Sequence, residues 1–190
     1  MKKSIGAKTL AYPTPVFVVG TYDSLGKPNI MTVAWGGICC SVPPCVTISL
    51  RKATHTYGNI MEKMAYTISI PGDHHMREAD YCGIESGSKA DKFAVTGLTP
   101  VKSDKVDAPY VKEFPLILEC RVIQTFEIGL HTQFTGEIID ITVDEEYLDE
   151  RGLPDVSKMR PLIYEPGHGE YFGFGNCLGK AFSTGRELIK

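Results

Sequence analysis

The chain has 190 residues, of which 43% are hydrophobic and 23% are charged, as in water-soluble globular domains. Its net charge of −3 argues against nucleic acid as a partner. No apolar run approaches the length of a membrane span, and the first residues lack the apolar stretch of a signal peptide. We therefore expect no membrane association and a cytoplasmic location.

Strand patterns dominate the chain. We predict strands over residues 16–21, 29–35, 45–51, 66–70, 116–128 and 131–143. The turn-rich residues 23–28 join the first two strands as a hairpin, and Gly129 lies between the last two. Short helices are predicted from Thr54 or Thr56 to Met64, over residues 74–81 and over residues 144–150. The glycine-rich stretch after Pro161 is predicted to be a loop.

Six or more closely spaced strands with only short helices favour a mainly β fold, closed or nearly closed as an antiparallel barrel. The sequence shows no repeat, low-complexity tract or linker. A single domain spanning residues 1–190 is therefore predicted.

The six cysteines do not suggest a disulfide framework. They are Cys39, Cys40, Cys45, Cys82, Cys120 and Cys177. Without an export signal, reduced thiols are expected. The first three cluster, but neighbours in an extended segment point to opposite sides, so a metal site there would need ligands from elsewhere. We interpret them as buried free thiols, with a metal or thiol site as the alternative.

Residues 29–51 are a candidate wall of a ligand pocket. The only tryptophan, Trp35, precedes Gly36 and Gly37. Glycines let backbone N–H groups approach the polar edge of a flat ring without a Cβ in the way. The same residues would also suit a barrel corner, where glycine permits a bend and the tryptophan fills the core. The local pattern leaves both interpretations open.

Groups that bind anions occur where the third predicted strand meets the first predicted helix. They are Ser49, Arg51, Lys52, Thr54, His55 and Thr56. Hydroxyls, a guanidinium and the free N–H groups of a helix start suit a phosphate. A second basic segment, residues 86–93, supplies Lys89 and Lys92. Each segment alone is explained as well by a helix cap or by surface lysines, but their joint presence favours a phosphate-bearing ligand.

Five segments in this order, residues 29–44, 49–51, 56–60, 91–93 and 129–137, resemble the flavin-reductase-like FMN-binding split barrels. The resemblance spans nearly the whole chain, from Lys8 to about Phe182. It implies an antiparallel, Greek-key-like split β-barrel with a few short helices. It also implies a homodimer with one FMN per subunit near the dimer interface.

The resemblance also implies roles for particular residues. Main-chain groups of residues 31–35 would line the isoalloxazine, and Ser49, Arg51, Thr56 and Lys92 would hold the phosphate and the ribityl chain. The full implied cofactor-binding set is Asn29, Met31, Thr32, Val33, Ala34, Trp35, Ser49, Leu50, Arg51, Thr56 and Lys92. His131 matches the histidine of a glycine-x-histidine motif that lies near the flavin or the incoming nicotinamide, and it is the one candidate catalytic residue.

The leading hypothesis is a redox protein that transfers electrons through non-covalently bound FMN. FMN accepts a hydride and passes on single electrons, so the protein needs little acid–base machinery of its own. The electrons would come from NADH or NADPH, or be exchanged with a carrier protein. The eight acids of residues 137–155 would suit docking of a basic carrier, although a solvated acidic face is the simpler explanation for them. The alternative is a non-enzymatic split barrel that binds a cofactor as a sensor or store.

Overall fold

The computed structural model describes residues 1–189. Its strands are β1 (Thr14–Pro15), β2 (Phe17–Tyr22), β3 (Pro28–Val33), β4 (Gly36–Ser41), β5 (Pro44–Arg51), β6 (Ala65–Ile70), β7 (Pro100–Lys102), β8 (Pro109–Val111), β9 (Leu116–Ile128), β10 (His131–Val143), β11 (Ile163–Glu165) and β12 (Glu170–Phe172). The α-helices are α1 (His55–Lys63), α2 (Met76–Ile84), α3 (Lys92–Thr96) and α4 (Val156–Met159). Short 3₁₀ helices cover Asp73–His75, Glu145–Tyr147 and Thr184–Leu188.

Seven strands form one antiparallel sheet in the order β3-β2-β6-β9-β10-β5-β4. The two ends of this sheet meet at the chain segment between β3 and β4, where the Trp35 carbonyl accepts a hydrogen bond from the Ser49 N–H of β5 at 2.8 Å. A curled antiparallel sheet with few short helices confirms the mainly β, split-barrel prediction. None of the helices within residues 1–189 is long and apolar enough to cross a membrane.

Alternation along the strands divides the apolar side chains between two cores. The barrel interior is filled by buried residues of six strands and α1, including Val19, Ile48, Ile60, Tyr66 and Phe134. A second core lies between the sheet and helices α2 and α3, and includes Val18, Ile30, Ala79, Cys82 and Phe93. Because successive residues of a strand face opposite sides, Val18 and Val19 of β2 belong to different cores.

The six predicted strands are all present, and β9 and β10 have the predicted bounds. Thr54 caps α1 as predicted, since its side chain accepts a hydrogen bond from the Tyr57 N–H. The segment after Trp35, for which a barrel corner was one of two interpretations, is strand β4. One prediction was wrong: the stretch after Pro161 is not all loop but contains β11, which pairs with β1, and β12, which pairs with β11. Strands of three residues are too short to show a period of two.

Candidate functional site

A cavity of about 190 Å³ opens where β3, the start of α1 and the segment after α2 meet. It is lined by Met31, Ala53, Thr54, His55, Thr56, Gly83, Ile84, Glu85, Ser86, Gly87 and Lys92, and we call it the lysine cavity. The cavity thus joins the strand–helix junction and the basic segment that the sequence indicated as two separate anion-binding elements.

Lys92 is the most informative residue of the lysine cavity. Its side chain lies at the first turn of α3 and the residue is only 3% exposed. The ammonium donates a hydrogen bond to the Cys82 carbonyl at 2.7 Å, and no carboxylate of the described residues forms an ion pair with it. Burial lowers the pKa of Lys92, because desolvation disfavours the charged ammonium, and the nearby Cys82 and Glu85 offset only part of this effect. An anion in this cavity would supply the missing charge.

The opposite wall of the lysine cavity is the N-terminus of α1. The first N–H groups of a helix have no partner within the helix, and the helix dipole favours an anion there. His55 and Thr56 begin α1 and both line the cavity. The start of a nine-residue helix and a buried lysine therefore line the same small cavity.

Buried hydrogen bonds fix this wall in place. The Asn29 amide of β3 donates to the Thr56 hydroxyl at 2.9 Å and to the Thr21 hydroxyl at 3.3 Å. Asn59 of α1 also donates to Thr21, at 3.0 Å. The four residues are at most 6% exposed, so they tie β2 and β3 to α1 from within the protein. Asn29 and Thr56 thus support the cavity, and Thr56 also lines it.

Gly87 is required by the close approach of its backbone to this network. A Cβ at this position would lie 1.9 Å from Asn29 Oδ1 and 3.0 Å from the His55 ring. No side chain fits there without displacing one of them.

A second space adjoins the lysine cavity on the other side of Gly83 and Ile84. It measures about 310 Å³ and is lined by Val16, Thr32, Ala34, Asp80, Gly83, Ile84, Tyr164, Gly169 and Tyr171; we call it the tyrosine cleft. The Tyr164 and Tyr171 rings lie 5.6 Å apart at 51°. The Tyr171 hydroxyl donates to Asp80 at 3.0 Å, and burial together with this carboxylate raises the pKa of Tyr171.

An apolar cleft of about 390 Å³ continues from the tyrosine cleft at Val16. Phe17, Gly36, Gly37 and Phe174 are among its lining residues. The three spaces therefore form a series. One end is rich in hydrogen-bond donors for an anion, the middle section has aromatic walls, and the other end is apolar. Specific small-molecule sites usually measure about 300–1,000 Å³ in all, and this series falls within that range.

The structure brings together part of the predicted set. Met31, Thr56 and Lys92 line the lysine cavity, and Thr32 and Ala34 line the adjoining tyrosine cleft. Val33 and Leu50 belong to the barrel core, so only their main chain is free to contact a ligand. Lys52, which the sequence analysis grouped with the anion-binding residues, lies at the surface, where it forms an ion pair with Glu127 at 2.6 Å.

Three other predicted residues lie on the ladder between β5 and β10. Ser49 is paired with Gln133, and Arg51 is directly opposite His131. None of Trp35, Ser49, Arg51 and His131 lines the lysine cavity or the tyrosine cleft of this single chain. Arg51 is exposed and ends β5 two residues before Ala53, which lines the lysine cavity.

The aromatic wall of the tyrosine cleft, formed by Tyr164 and Tyr171, was not predicted from the sequence. Tyr164 and Tyr171 belong to the stretch that was predicted to be loop, and Asp80 lies on a helix 91 residues earlier in the chain than Tyr171. No spacing in the sequence signals such a contact. Glu85, which also lines the lysine cavity, was not predicted either.

Comparison with known proteins decides the family. The family described as "Flavin reductase like domain" matches residues 9–173. The chain belongs to the flavin reductase like family. The resemblance seen in the sequence is thereby confirmed.

Among solved members of the flavin reductase like fold, flavoredoxin of Desulfovibrio vulgaris (Miyazaki F) is 57% identical. The match covers 97% of this chain and 100% of that chain, with a TM-score of 0.94. Flavoredoxin from Methanosarcina acetivorans is 32% identical, with 100% of both chains covered and a TM-score of 0.93. An uncharacterized protein of Archaeoglobus fulgidus is 31% identical over 146 residues, or 77% of this chain and 80% of that protein.

Proposed function

We propose that the protein binds FMN non-covalently and transfers electrons through it. The observation that carries this proposal is the buried Lys92, which lines one cavity together with the start of α1; this cavity adjoins an aromatic cleft at Gly83 and Ile84. Membership of the flavin reductase like family and the similarity to two flavoredoxins support the same function.

The residues present fit the parts of FMN. The phosphate belongs in the lysine cavity, where Lys92, the free N–H groups of α1 and the hydroxyl of Ser86 supply donors. The tricyclic ring belongs against β3, in the tyrosine cleft, with main-chain groups of residues 31–35 along its polar edge. FMN supplies the hydride and single-electron chemistry. The chain's own residues bind the anion, orient the ring and limit access of water.

We further propose that the protein works as a homodimer. The end of the β9–β10 hairpin exposes four large apolar side chains, Ile123, Phe126, Ile128 and Leu130. In the described structure β6 pairs with β9 only up to Arg121, so the outer edge of the strand beyond this point has no neighbouring strand. An exposed apolar segment with a free strand edge is typical of a protein interface. A partner subunit bound there would lie next to Arg51 and His131, which pair at the same end of the sheet, where β5 ends and β10 begins.

The electron donor separates two versions of the function. In the first, NADH or NADPH reduces the flavin directly, and His131 helps to hold the nicotinamide or the ring. In the second, a carrier protein exchanges electrons with the bound flavin at the acidic residues 137–155. The second version needs no nicotinamide pocket.

The decisive experiment is an anaerobic absorbance spectrum of the purified protein after loading with FMN. We expect bound FMN to co-elute with the protein and its fluorescence to change. Bleaching by NADH or NADPH at a turnover-competent rate would support the reductase, and bleaching only by a reduced carrier would support the second version. If FMN neither co-elutes nor changes its fluorescence, the proposal fails. FMN that binds but is reduced by no donor would favour the sensor or store.

A further inference from the structure

The β4–β5 hairpin brings three cysteines together. Cys40 is directly opposite Cys45, and only the pair Ser41 and Pro44 separates them from the turn. The register shifts between Ile38 and Cys40, so Cys39 is the extra residue of a β-bulge. In a bulge two residues of one strand oppose a single residue of the other. The alternation that would send neighbouring thiols to opposite sides is therefore interrupted at this position, contrary to the expectation from the sequence.

The geometry of the pair suits a disulfide. Directly opposite residues of antiparallel strands have Cα atoms about 4.5–5.5 Å apart. A disulfide spans Cα separations of about 4.4–6.8 Å. Cys40 and Cys45 thus need no strand movement to be joined, and both are free thiols here.

The two thiols differ in access. Cys40 is half-buried, and its thiol donates a hydrogen bond to the Val42 carbonyl at 3.3 Å. Cys45 is only 2% exposed, and Glu137 of β10 is its other cross-strand neighbour. Burial, followed by the nearby Cys40, Cys39 and Glu137, raises the pKa of Cys45. Cys40 is accordingly the thiol that an external reagent reaches, and Cys45 is held behind it.

A metal ion is less well suited to this cluster. Three ligand atoms of His, Cys, Asp or Glu within 4.8 Å of one another occur, among residues 1–189, only at Glu165, His168 and Glu170. The three sulfur atoms of the hairpin do not converge in this way. A two-thiol reaction fits the arrangement better than a three-thiol metal site does.

We propose that Cys40 and Cys45 form a redox-active dithiol that a low-molecular-weight disulfide oxidises to an intramolecular disulfide. The Cys40 thiolate attacks the external disulfide, forming a mixed disulfide and releasing one thiolate. The Cys45 thiol then loses its proton to solvent and attacks Cys40 Sγ, which releases the second thiolate. In balance, two protein thiols and one external disulfide give one protein disulfide and two external thiols. The bond fastens the edge strand β4 to β5, and it does not depend on FMN.

The test uses the FMN-loaded protein, fully reduced, freed of reductant and then exposed to glutathione disulfide under anaerobic conditions. Remaining thiols are blocked, and the protein is analysed by intact mass and by peptide mapping. We expect two of the six thiols to be lost without a net glutathione adduct at these positions, and the cross-linked peptide to contain Cys40 and Cys45. Cys45→Ser should instead retain a stable glutathione adduct on Cys40, whereas Cys40→Ser should leave the buried Cys45 unmodified.

Cys177→Ser and Cys39→Ser are the matched controls. Cys177 is exposed and lies in the C-terminal segment, and Cys39 is exposed at the bulge. Both variants should form the Cys40–Cys45 disulfide as the unaltered chain does. Glutathione adducts on Cys177 without any intramolecular disulfide would overturn the proposal, and so would a cross-link that maps to Cys39. A circular dichroism spectrum of each variant confirms that the barrel is folded.

Discussion

Replacing Lys92 by Met tests the assignment of the lysine cavity. The two side chains have similar length, but methionine has no charge and cannot donate a hydrogen bond. In the folded protein Lys92 donates to the Cys82 carbonyl at 2.7 Å while it is almost completely buried. The substitution therefore removes both an unfavourable buried charge and one hydrogen bond. These two effects oppose each other, so the stability of the FMN-free protein should change by less than about 1 kcal/mol.

The effect on binding should be much larger. A hydrogen bond to a charged group contributes about 1.5–3 kcal/mol, and each 1.4 kcal/mol is about a factor of ten in affinity. The dissociation constant of FMN should thus rise about 10- to 150-fold in Lys92→Met. Riboflavin has the same ring and ribityl chain but no phosphate, so its dissociation constant should change by less than about threefold.

Fluorescence titration of each variant with FMN and with riboflavin measures both constants. Lys89→Met is the matched control, because Lys89 lies in the same segment but is exposed and does not line the cavity. It should bind FMN as the unaltered protein does. An equal loss of FMN and riboflavin affinity in Lys92→Met would refute the reasoning, since it would show that Lys92 supports the fold or the ring and not the phosphate.

Three further predictions follow from contacts described above. Arg51→Ala should weaken the binding of FMN more than the binding of riboflavin. Its effect on FMN binding should be smaller than that of Lys92→Met, because the arginine is exposed outside the cavity; the same titrations measure these affinities. Gly87→Ala should destabilise the protein by more than about 1 kcal/mol in urea unfolding, whereas Gly58→Ala, with open space around its Cβ on α1, should not. Burial, then His74, lowers the pKa of His75, so the folded state favours neutral histidine and stability is lost as the pH falls below about 6.5. Between about pH 7.5 and pH 5.5, the urea midpoint of His75→Gln should fall less than that of the unaltered protein. An equal fall in both proteins would contradict the reasoning.

Strong periodic patterns made most of the barrel predictable from the sequence. The long strands β9 and β10 have thirteen residues each, enough to show alternation and a turn between them. The short strands β1, β11 and β12 have two or three residues, and their pairing depends on contacts between the two ends of the chain. Such contacts are set by tertiary packing, which local propensity does not encode.

The candidate site was predictable to the extent that its residues share a segment. Donors for an anion were visible at the start of α1 and before α3, and the structure unites them. Which lysine is buried was not visible, because Lys52, Lys89 and Lys92 look alike in sequence and only folding distinguishes them. The contact between Asp80 and Tyr171 and the bulge at Cys39 depend on neighbouring strands and helices, so no single segment indicates them.

The pairing of β1 with β11 has a consequence for how the protein acquires its cofactor during synthesis. The Thr14 hydroxyl donates to the Tyr164 carbonyl across 150 positions of the chain, so the aromatic wall exists only when both ends are present. The residues that line the lysine cavity lie between Met31 and Lys92, so all of them leave the ribosome well before Tyr164 and Tyr171 do. The proposed phosphate end of the site is therefore synthesised before the wall that encloses the ring. Because closing so long a loop is slow, the late arrival of residues 163–172 makes this end of the site the last to assemble.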